Sequence, residues 1–156
     1  MSERSFEDEV RRLAAIEDIK QLKARYAERC DDQYDPEGIA SLFLEDGVWD
    51  GGSDFGCHEG RDAIRKFFSE VSNQILQAAH LSMNPIIEVQ GDRATGRWRL
   101  LCPCTLRSDA GGREASWILA EYDEAYERKA GSWYFRKLQV KVNFNAAHAD
   151  GWAASG

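Results

Sequence analysis

The second half of the chain alternates strand-like runs with short turn signals, and this pattern constrains the fold more than any other feature. The turn signals are Gly-Asp at residues 91–92, Asp-Ala-Gly-Gly at 109–112 and Ala-Gly-Ser at 130–132. Four strand-like runs lie around them. Because connections this short join antiparallel neighbours, the sequence predicts an antiparallel meander whose strands have one apolar and one solvated face.

Two of these runs indicate which residues face the interior. In the second run, every other position is apolar or a thiol, so one face carries Trp98, Leu100, Cys102, Cys104 and Leu106. In the last run, the expected inward positions are Leu138, Val140, Val142 and Phe144. Pro103 cannot donate a hydrogen bond to a neighbouring strand, so it predicts a sheet edge or a bulge.

The first half of the chain predicts helices. From Phe6, apolar residues recur every three or four positions, which predicts an amphipathic helix ending near Asp31. Charged residues such as Lys23 are assigned to its solvated side. Asp35 is the expected N-cap of a second, shorter helix, and Pro36 its first residue.

The remaining elements of this half are short. The second helix is expected to end at residues 45–47, and a strand at 48–50 is expected to pair with a returning segment at 55–58. A third helix is expected from about Asp62, with Ile75 among its core-facing residues.

Together these elements predict an α+β fold in which a strongly bent antiparallel sheet wraps its apolar face around three helices from the N-terminal half. At 156 residues, the chain is expected to form a single domain over residues 1–156. Residues 1–8 and 146–156 are the expected mobile tails. An alternative for the second tail, which contains His148 and Trp152, is a lid over a pocket.

The charge of the chain argues against a nucleic-acid partner. There are 20 Lys and Arg against 27 Asp and Glu, a net charge of −7, and the basic residues are scattered. The N-terminal segment is too polar for a signal peptide, and no segment has the ~20 apolar residues that cross a membrane. We therefore expect a cytoplasmic protein with no nucleic-acid and no membrane partner.

The cysteines lack the paired spacing of structural zinc sites. Cys30, Cys57, Cys102 and Cys104 are therefore expected to be small apolar fillers. A weaker alternative is that Cys102 and Cys104 join a histidine around a metal ion. We expect no metal and no cofactor.

Four stretches resemble the SnoaL-like branch of the nuclear-transport-factor-2-like superfamily. They are IKQLKARYAERCDDQYDPEGIASLFLEDGVWDGG from residue 19, GCHEGRDAIRKFF from 56, HLSMNPIIEVQGDRATGRW from 80 and YERKAGSWYF from 126. The pattern looks similar to the branch that contains scytalone dehydratase, hexachlorocyclohexane dehydrochlorinase and bile-acid dehydratase. The resemblance implies a cone-shaped fold, which also hosts cyclases, isomerases and non-catalytic binders.

The resemblance also assigns site residues. His80, at the start of the first long strand and facing inward, matches the catalytic histidine of that branch. Asp31 matches its catalytic aspartate, although the adjacent Asp32 leaves an ambiguity of one residue. Tyr26 matches the pocket tyrosine of the dehydratases. Leu138 stands where a dehydrochlorinase has an arginine, so help in expelling chloride is not implied.

The resemblance further implies a homodimer or homotrimer. The expected contact surface is the outer face of the sheet, which carries Arg97, Arg99, Lys137 and Lys141.

These residues predict proton-transfer chemistry. A neutral imidazole can act as a general base, and a carboxylate on its other nitrogen fixes the tautomer. We expect a cofactor-independent lyase of the dehydratase type, or an isomerase, acting on a small hydrophobic cyclic molecule. His80 is the expected base, Asp31 its partner and Tyr26 a donor. The expected substrate-binding residues are Trp49, Trp98, Leu100, Cys102, Leu138 and Val140.

Three other interpretations stay open. His80 is also explained as a hydrogen-bonded strand histidine without a catalytic role. A second interpretation is a small-molecule-binding protein that uses the same pocket without chemistry. A filled interior with no cavity near His80 would instead indicate an interaction module.

Overall fold

The structure, a computed structural model, describes residues 5–149 and contains four helices and seven strands within them. The helices are α1 (Phe6–Asp31), α2 (Pro36–Ser41), α3 (Gly52–Phe55) and α4 (Arg61–Val71). The strands are β1 (Phe43–Asp50), β2 (Cys57–Glu59), β3 (Ile75–Ala78), β4 (Leu81–Gln90), β5 (Arg93–Arg107), β6 (Arg113–Lys129) and β7 (Ser132–Ala147). None of the helices in this range is long and apolar enough to cross a membrane.

The first two helices follow their sequence signals. Helix α1 ends at Asp31, as predicted. Asp35 is the N-cap of α2, and its Oδ1 accepts a hydrogen bond from the backbone N–H of Gly38 at 3.0 Å. Pro36 occupies the first helical position, where a missing N–H costs nothing.

Two element boundaries differ from the prediction. Helix α2 ends at Ser41 and β1 begins at Phe43, so residues 45–47 lie within a strand. Phe43 pairs with Phe135 of β7, and this pairing with a distant strand is invisible to local sequence patterns. Ile75 begins β3 rather than ending a helix, because α4 stops at Val71.

All seven strands form one strongly curled sheet, and the predicted α+β fold class is confirmed. The strand order is β2-β1-β7-β6-β5-β3, and β4 also pairs with β5. Strands β4 to β7 form the predicted antiparallel meander. Strands β1 and β7 pair in parallel, in contrast to the antiparallel pairs among the other described strands.

A bulge in β7 reverses the expected inward face near the end of that strand. Val142 pairs with Ala120, whereas Phe144 pairs with Leu119, so Asn143 is the extra residue. The inward and outward alternation shifts by one residue beyond a bulge. Phe144 was predicted to face the interior, but its side chain is 47% exposed. The prediction was wrong because periodicity alone does not reveal an inserted residue.

Helix α1 packs against the apolar concave face of the sheet through residues that include Ile19, Leu22 and Tyr26. Lys23 lies among them and is 1% exposed, so its assignment to the solvated side of the helix was wrong. The Lys23 ammonium forms an ion pair with Glu124 of β6, which is also buried.

Parts of both expected tails belong to regular structure. Residues 6–8 form the first turn of α1, and residues 146–147 end β7. The backbone N–H of His148 donates to the Ala115 carbonyl at 2.8 Å. Residues 1–4 and 150–156 lie outside the described residues, so Trp152 and most of the proposed lid do too.

The cap of α2 is open to a direct test. Replacing Asp35 by Ala removes the acceptor for the Gly38 N–H and should lower the free energy of unfolding by about 1 kcal/mol. Asp35→Asn keeps an acceptor oxygen and is the matched control. Urea denaturation followed by circular dichroism measures both. Equal destabilisation by the two variants would show that the charge of Asp35, rather than its cap, stabilises the helix.

Candidate functional site

Pro103 breaks the edge of the sheet where His80 lies. On this side β5 pairs with β3, whose last residue is Ala78, and with β4, whose first residue is Leu81. The N–H and C=O of a residue in an antiparallel strand point to the same neighbour. Because the Pro103 carbonyl accepts from the Ala79 N–H at 3.1 Å, the missing N–H of Pro103 also faces this segment. His80 therefore precedes β4 by one residue, in the gap between two edge strands.

Asp31 holds His80 by two hydrogen bonds to one oxygen. Asp31 Oδ1 accepts from the His80 backbone N–H at 2.9 Å and lies 2.7 Å from the ring Nδ1. An ionised carboxylate only accepts hydrogen bonds, so Nδ1 carries the proton of a neutral ring and Nε2 its lone pair. Asp32 is instead the C-cap residue of α1 and is exposed. The structure thus brings Asp31, and not Asp32, to His80.

The two partners differ in exposure. The His80 side chain is 9% exposed and that of Asp31 is 37% exposed. The carboxylate therefore stays in contact with solvent at the end of α1, while the imidazole lies inside the fold.

Tyr34 is a neighbour of His80 that sequence reasoning missed. Its ring stacks on Phe68 with centroids 5.9 Å apart and meets the His80 ring edge-on at 5.7 Å. Its backbone φ is 57°, a left-handed conformation that bulky residues rarely adopt. Such strain persists where surrounding packing enforces it. A turn after α1 was expected, but no local pattern indicates that its tyrosine points inward.

His80 lines a small apolar cavity of about 60 Å³. Among the expected substrate-binding residues, Trp49, Leu100, Cys102 and Val140 also line it, and so does Tyr26. The other lining residues are mostly aromatic and aliphatic and come from the helices and the concave sheet face: Tyr34, Phe55, Phe67, Phe68, Val71, Ile75, Cys104, Ile118, Ala120, Tyr122 and Val142.

Trp98 and Leu138 do not line this cavity, so their role in substrate binding stays a prediction. Trp98 faces inward, but its Nε1 donates to the Tyr126 hydroxyl at 2.9 Å, away from the cavity. Leu138 is fully buried in the core. The alternation of residues along β5 and β7 correctly predicted that both side chains face inward. Whether an inward side chain reaches the cavity depends on how the sheet curls.

Tyr26 lies in the cavity wall with its hydroxyl partly engaged. The hydroxyl oxygen accepts a hydrogen bond from Trp49 Nε1 at 2.9 Å. Burial raises the pKa of Tyr26 well above its usual range, so the hydroxyl keeps its proton at neutral pH. The hydroxyl is also hydrogen-bonded to the thiol of Cys30, so it donates to a ligand in competition with that thiol.

An aromatic cluster closes one side of the cavity. The Trp49 ring stacks on Phe67 at 4.6 Å, and the His58 ring stacks on the same Phe67 at 4.3 Å. His58 is half-buried, and its Nε2 lies 2.9 Å from the Phe55 carbonyl oxygen. Phe55 sits on the one-turn helix α3, which is followed by Gly56 with a φ of 77°.

The thiols of Cys102 and Cys104 lie on the cavity wall. Hydrogen bonding to Cys104, together with burial, raises the pKa of Cys102. Burial also raises the pKa of Cys30 to about 12. Cys57 is exposed, which contradicts its assignment as an apolar filler. Across residues 5–149, no group of three or more His, Cys, Asp or Glu side chains is arranged to hold a metal ion.

Comparison with known proteins agrees with this architecture. The family model of the SnoaL-like domain matches residues 11–139. A hexachlorocyclohexane dehydrochlorinase (LinA type 2) has a TM-score of 0.80 at 24% identity, with 89% of this chain and 92% of that chain covered. A scytalone dehydratase-like protein from Novosphingobium aromaticivorans has a TM-score of 0.75 at 22% identity, with 89% and 95% covered.

A Mycobacterium tuberculosis protein of unknown function is similar at 28% identity, with a TM-score of 0.73 and 89% and 76% of the two chains covered. No curated protein matches the sequence. These likenesses establish the fold.

Access to the cavity is open to experiment through Phe55. Phe55→Ala should enlarge the cavity and strengthen the binding of 1-naphthol several-fold, measured as saturable quenching of tryptophan fluorescence. Phe144→Ala, which removes an exposed ring from β7, is the matched control. Unchanged binding by the Phe55 variant would show that α3 does not limit the room for a ligand.

Proposed function

Because the chain belongs to the SnoaL-like domain family, we propose that it is a cofactor-independent lyase or isomerase that moves a proton on a small hydrophobic cyclic substrate. The observation that carries the proposal is the 2.7 Å contact between His80 Nδ1 and Asp31 Oδ1 at the wall of an apolar cavity. This contact joins residues 49 positions apart in the chain.

The His80 ring is suited to the role of general base. Asp31 accepts the Nδ1 proton and leaves the lone pair on Nε2 for a C–H bond beside a carbonyl. When Nε2 takes that proton, Asp31 stabilises the imidazolium that forms. Positioned acid–base catalysis of this kind contributes typically 10² to 10⁴-fold.

Tyr26 is the proposed donor on the ligand side. In a dehydration, His80 removes the proton from carbon, the electron pair forms the C=C bond, and the hydroxyl leaves as water with the Tyr26 proton. The proton on His80 then restores Tyr26 through solvent or the product. In an isomerisation, His80 returns its proton to a different carbon, and Tyr26 donates a hydrogen bond to the carbonyl.

The cavity limits the substrate class. Its walls are apolar apart from His80, two thiols and the tyrosine hydroxyls, so it favours a hydrophobic molecule with one or two oxygens. About 60 Å³ corresponds to roughly two water molecules. A ring-shaped substrate therefore requires the aromatic cluster around Phe55 and Phe67 to move.

Proton abstraction is tested most directly by isotope exchange. In D₂O, the wild-type protein should exchange the α-hydrogens of 3-hydroxycyclohexanone or 3-cyclohexenone, followed by NMR. His80→Gln should reduce the exchange rate 10² to 10⁴-fold, because the base is lost. Asp31→Asn should reduce it less, since an amide can still orient the ring.

The control for this experiment is His148→Gln, which removes an exposed imidazole outside the cavity. Equal exchange by the wild-type protein and His80→Gln would refute the role proposed for His80.

A second candidate function is binding without chemistry, using the same cavity. The observation that favours it is that Leu138, at the position where the family resemblance implies a dehydrochlorinase arginine, is an apolar residue fully buried in the core. If the protein only binds, 1-naphthol should quench its tryptophan fluorescence saturably. Cyclic ketones should then be recovered unchanged, with no deuterium incorporated. Deuterium incorporation that depends on His80 would exclude this alternative.

Self-association as a homodimer or homotrimer is part of the proposal. The outer face of the sheet carries Arg97 and Arg99 beside Glu121, with 4.0 Å between Arg99 Nη2 and Glu121 Oε1. Mixed charges of this kind suit a contact between copies of one chain. Sedimentation equilibrium at low and high salt tests it, and a monomer under both conditions would contradict it.

A further inference from the structure

A buried ion pair lies directly behind the cavity wall. Lys23 of α1 and Glu124 of β6 are in contact, and their side chains are 1% and 0% exposed. Glu124 Oε2 also accepts a hydrogen bond from the Tyr126 hydroxyl, which in turn accepts one from Trp98 Nε1 at 2.9 Å. Burial lowers the pKa of Lys23, whereas Glu124 opposes that effect.

Stability alone does not account for such a pair. Removing two charges from water is costly, and replacing a buried ion pair by well-packed apolar residues is often neutral or stabilising. The sheet face around the pair consists of apolar and aromatic residues, so an apolar pair at 23 and 124 would continue the core.

The ammonium of the pair contacts two aromatic rings of the cavity wall. Lys23 Nζ lies 3.2 Å from the centroid of the Tyr122 ring and 4.9 Å from that of Tyr26. Both tyrosines line the cavity, whereas Lys23, Glu124 and Tyr126 lie outside its lining. The charge that lies over the Tyr122 ring is the ammonium of Lys23.

We propose that Lys23 is a positioning residue that acts through the Tyr122 and Tyr26 rings to favour ligands carrying negative charge on oxygen, namely enolates and phenolates. This inference rests on the proposed function, because an enolate is the anion that His80 generates by removing a proton beside a carbonyl. A cation behind a phenol ring also strengthens the hydrogen bond that its hydroxyl donates.

The expected size of the effect follows from Coulomb's law. A unit charge about 7 Å away, partly offset by its carboxylate partner, shifts the pKa of a bound phenol by roughly half to one unit at an effective dielectric constant of about 20. A merely structural role of the pair would not move this pKa.

The experiment uses 4-nitrophenol, whose two protonation states differ in absorbance. Its pKa when bound is measured with wild-type protein and with Lys23→Gln/Glu124→Gln, in which two amides replace the ion pair and can bond to each other. The bound pKa should be higher in the variant by roughly half to one unit. A difference below about 0.2 units between the two proteins would overturn the inference.

Two variants serve as controls. Arg128→Gln/Asp92→Asn removes an exposed ion pair (N···O 2.6 Å) at the β4–β5 turn and should leave the bound pKa at its wild-type value. Cys102→Phe places a ring in the cavity and should abolish probe binding, which locates the bound probe. Probe binding that survives this change would also count against the inference.

The wild-type protein provides a test that does not depend on folding of the variant. An apolar cavity without a nearby cation raises the pKa of a bound phenol by desolvation. A bound pKa at or below the value in water supports the role of Lys23, whereas no binding of 4-nitrophenol overturns it.

Failure of this inference is distinguishable from failure of the proposed function. Loss of deuterium exchange in His80→Gln, with no pKa difference for the probe, would retain the enzyme and reject the role of Lys23. A pKa difference without any exchange would retain the polarised wall in a binding protein.

Discussion

The seating of α1 in the concave face of the curled sheet is the contact on which the rest of the structure depends. Along one side of this helix, Lys23 meets Glu124 of β6 and, eight residues later, Asp31 meets His80 before β4. Eight residues of α-helix span about 12 Å. The rotation and axial position of α1 therefore set both contacts at once, and Tyr26 lies on the helix between them.

The residues that line the cavity stabilise the fold and at the same time restrict the space for a ligand. Its aromatic and aliphatic walls stabilise the fold by burial, yet they leave only about 60 Å³ of free space beside His80. The polar groups that could act on a ligand sit at the edges of this apolar volume. Asp31 is 37% exposed and contacts solvent, whereas the imidazole that it orients is 9% exposed.

Local sequence signals predicted much of the fold for identifiable reasons. Asp35 and Pro36 mark the start of α2 because capping and a fixed φ act within one turn. Alternation along β5 and β7 identified the inward face, but it failed at Phe144 because a bulge changes the phase. For the candidate site, His80, Asp31 and Tyr26 were identified through family resemblance, whereas Tyr34 and Lys23 were missed. Their burial results from packing against Phe68 and Glu124, which are distant in sequence.

The sequence by itself determined helix α1, the start of α2, the meander and the interruption at Pro103, because these depend on periodicity, on capping and on the missing N–H of proline. Tertiary structure alone decided that Asp31 rather than Asp32 contacts His80, that Trp98 and Leu138 lie away from the cavity, and that Lys23 of α1 is buried. Each of these outcomes depends on how far the sheet curls and where α1 lies within it. Such geometry arises from contacts across the whole chain, and no single segment encodes it.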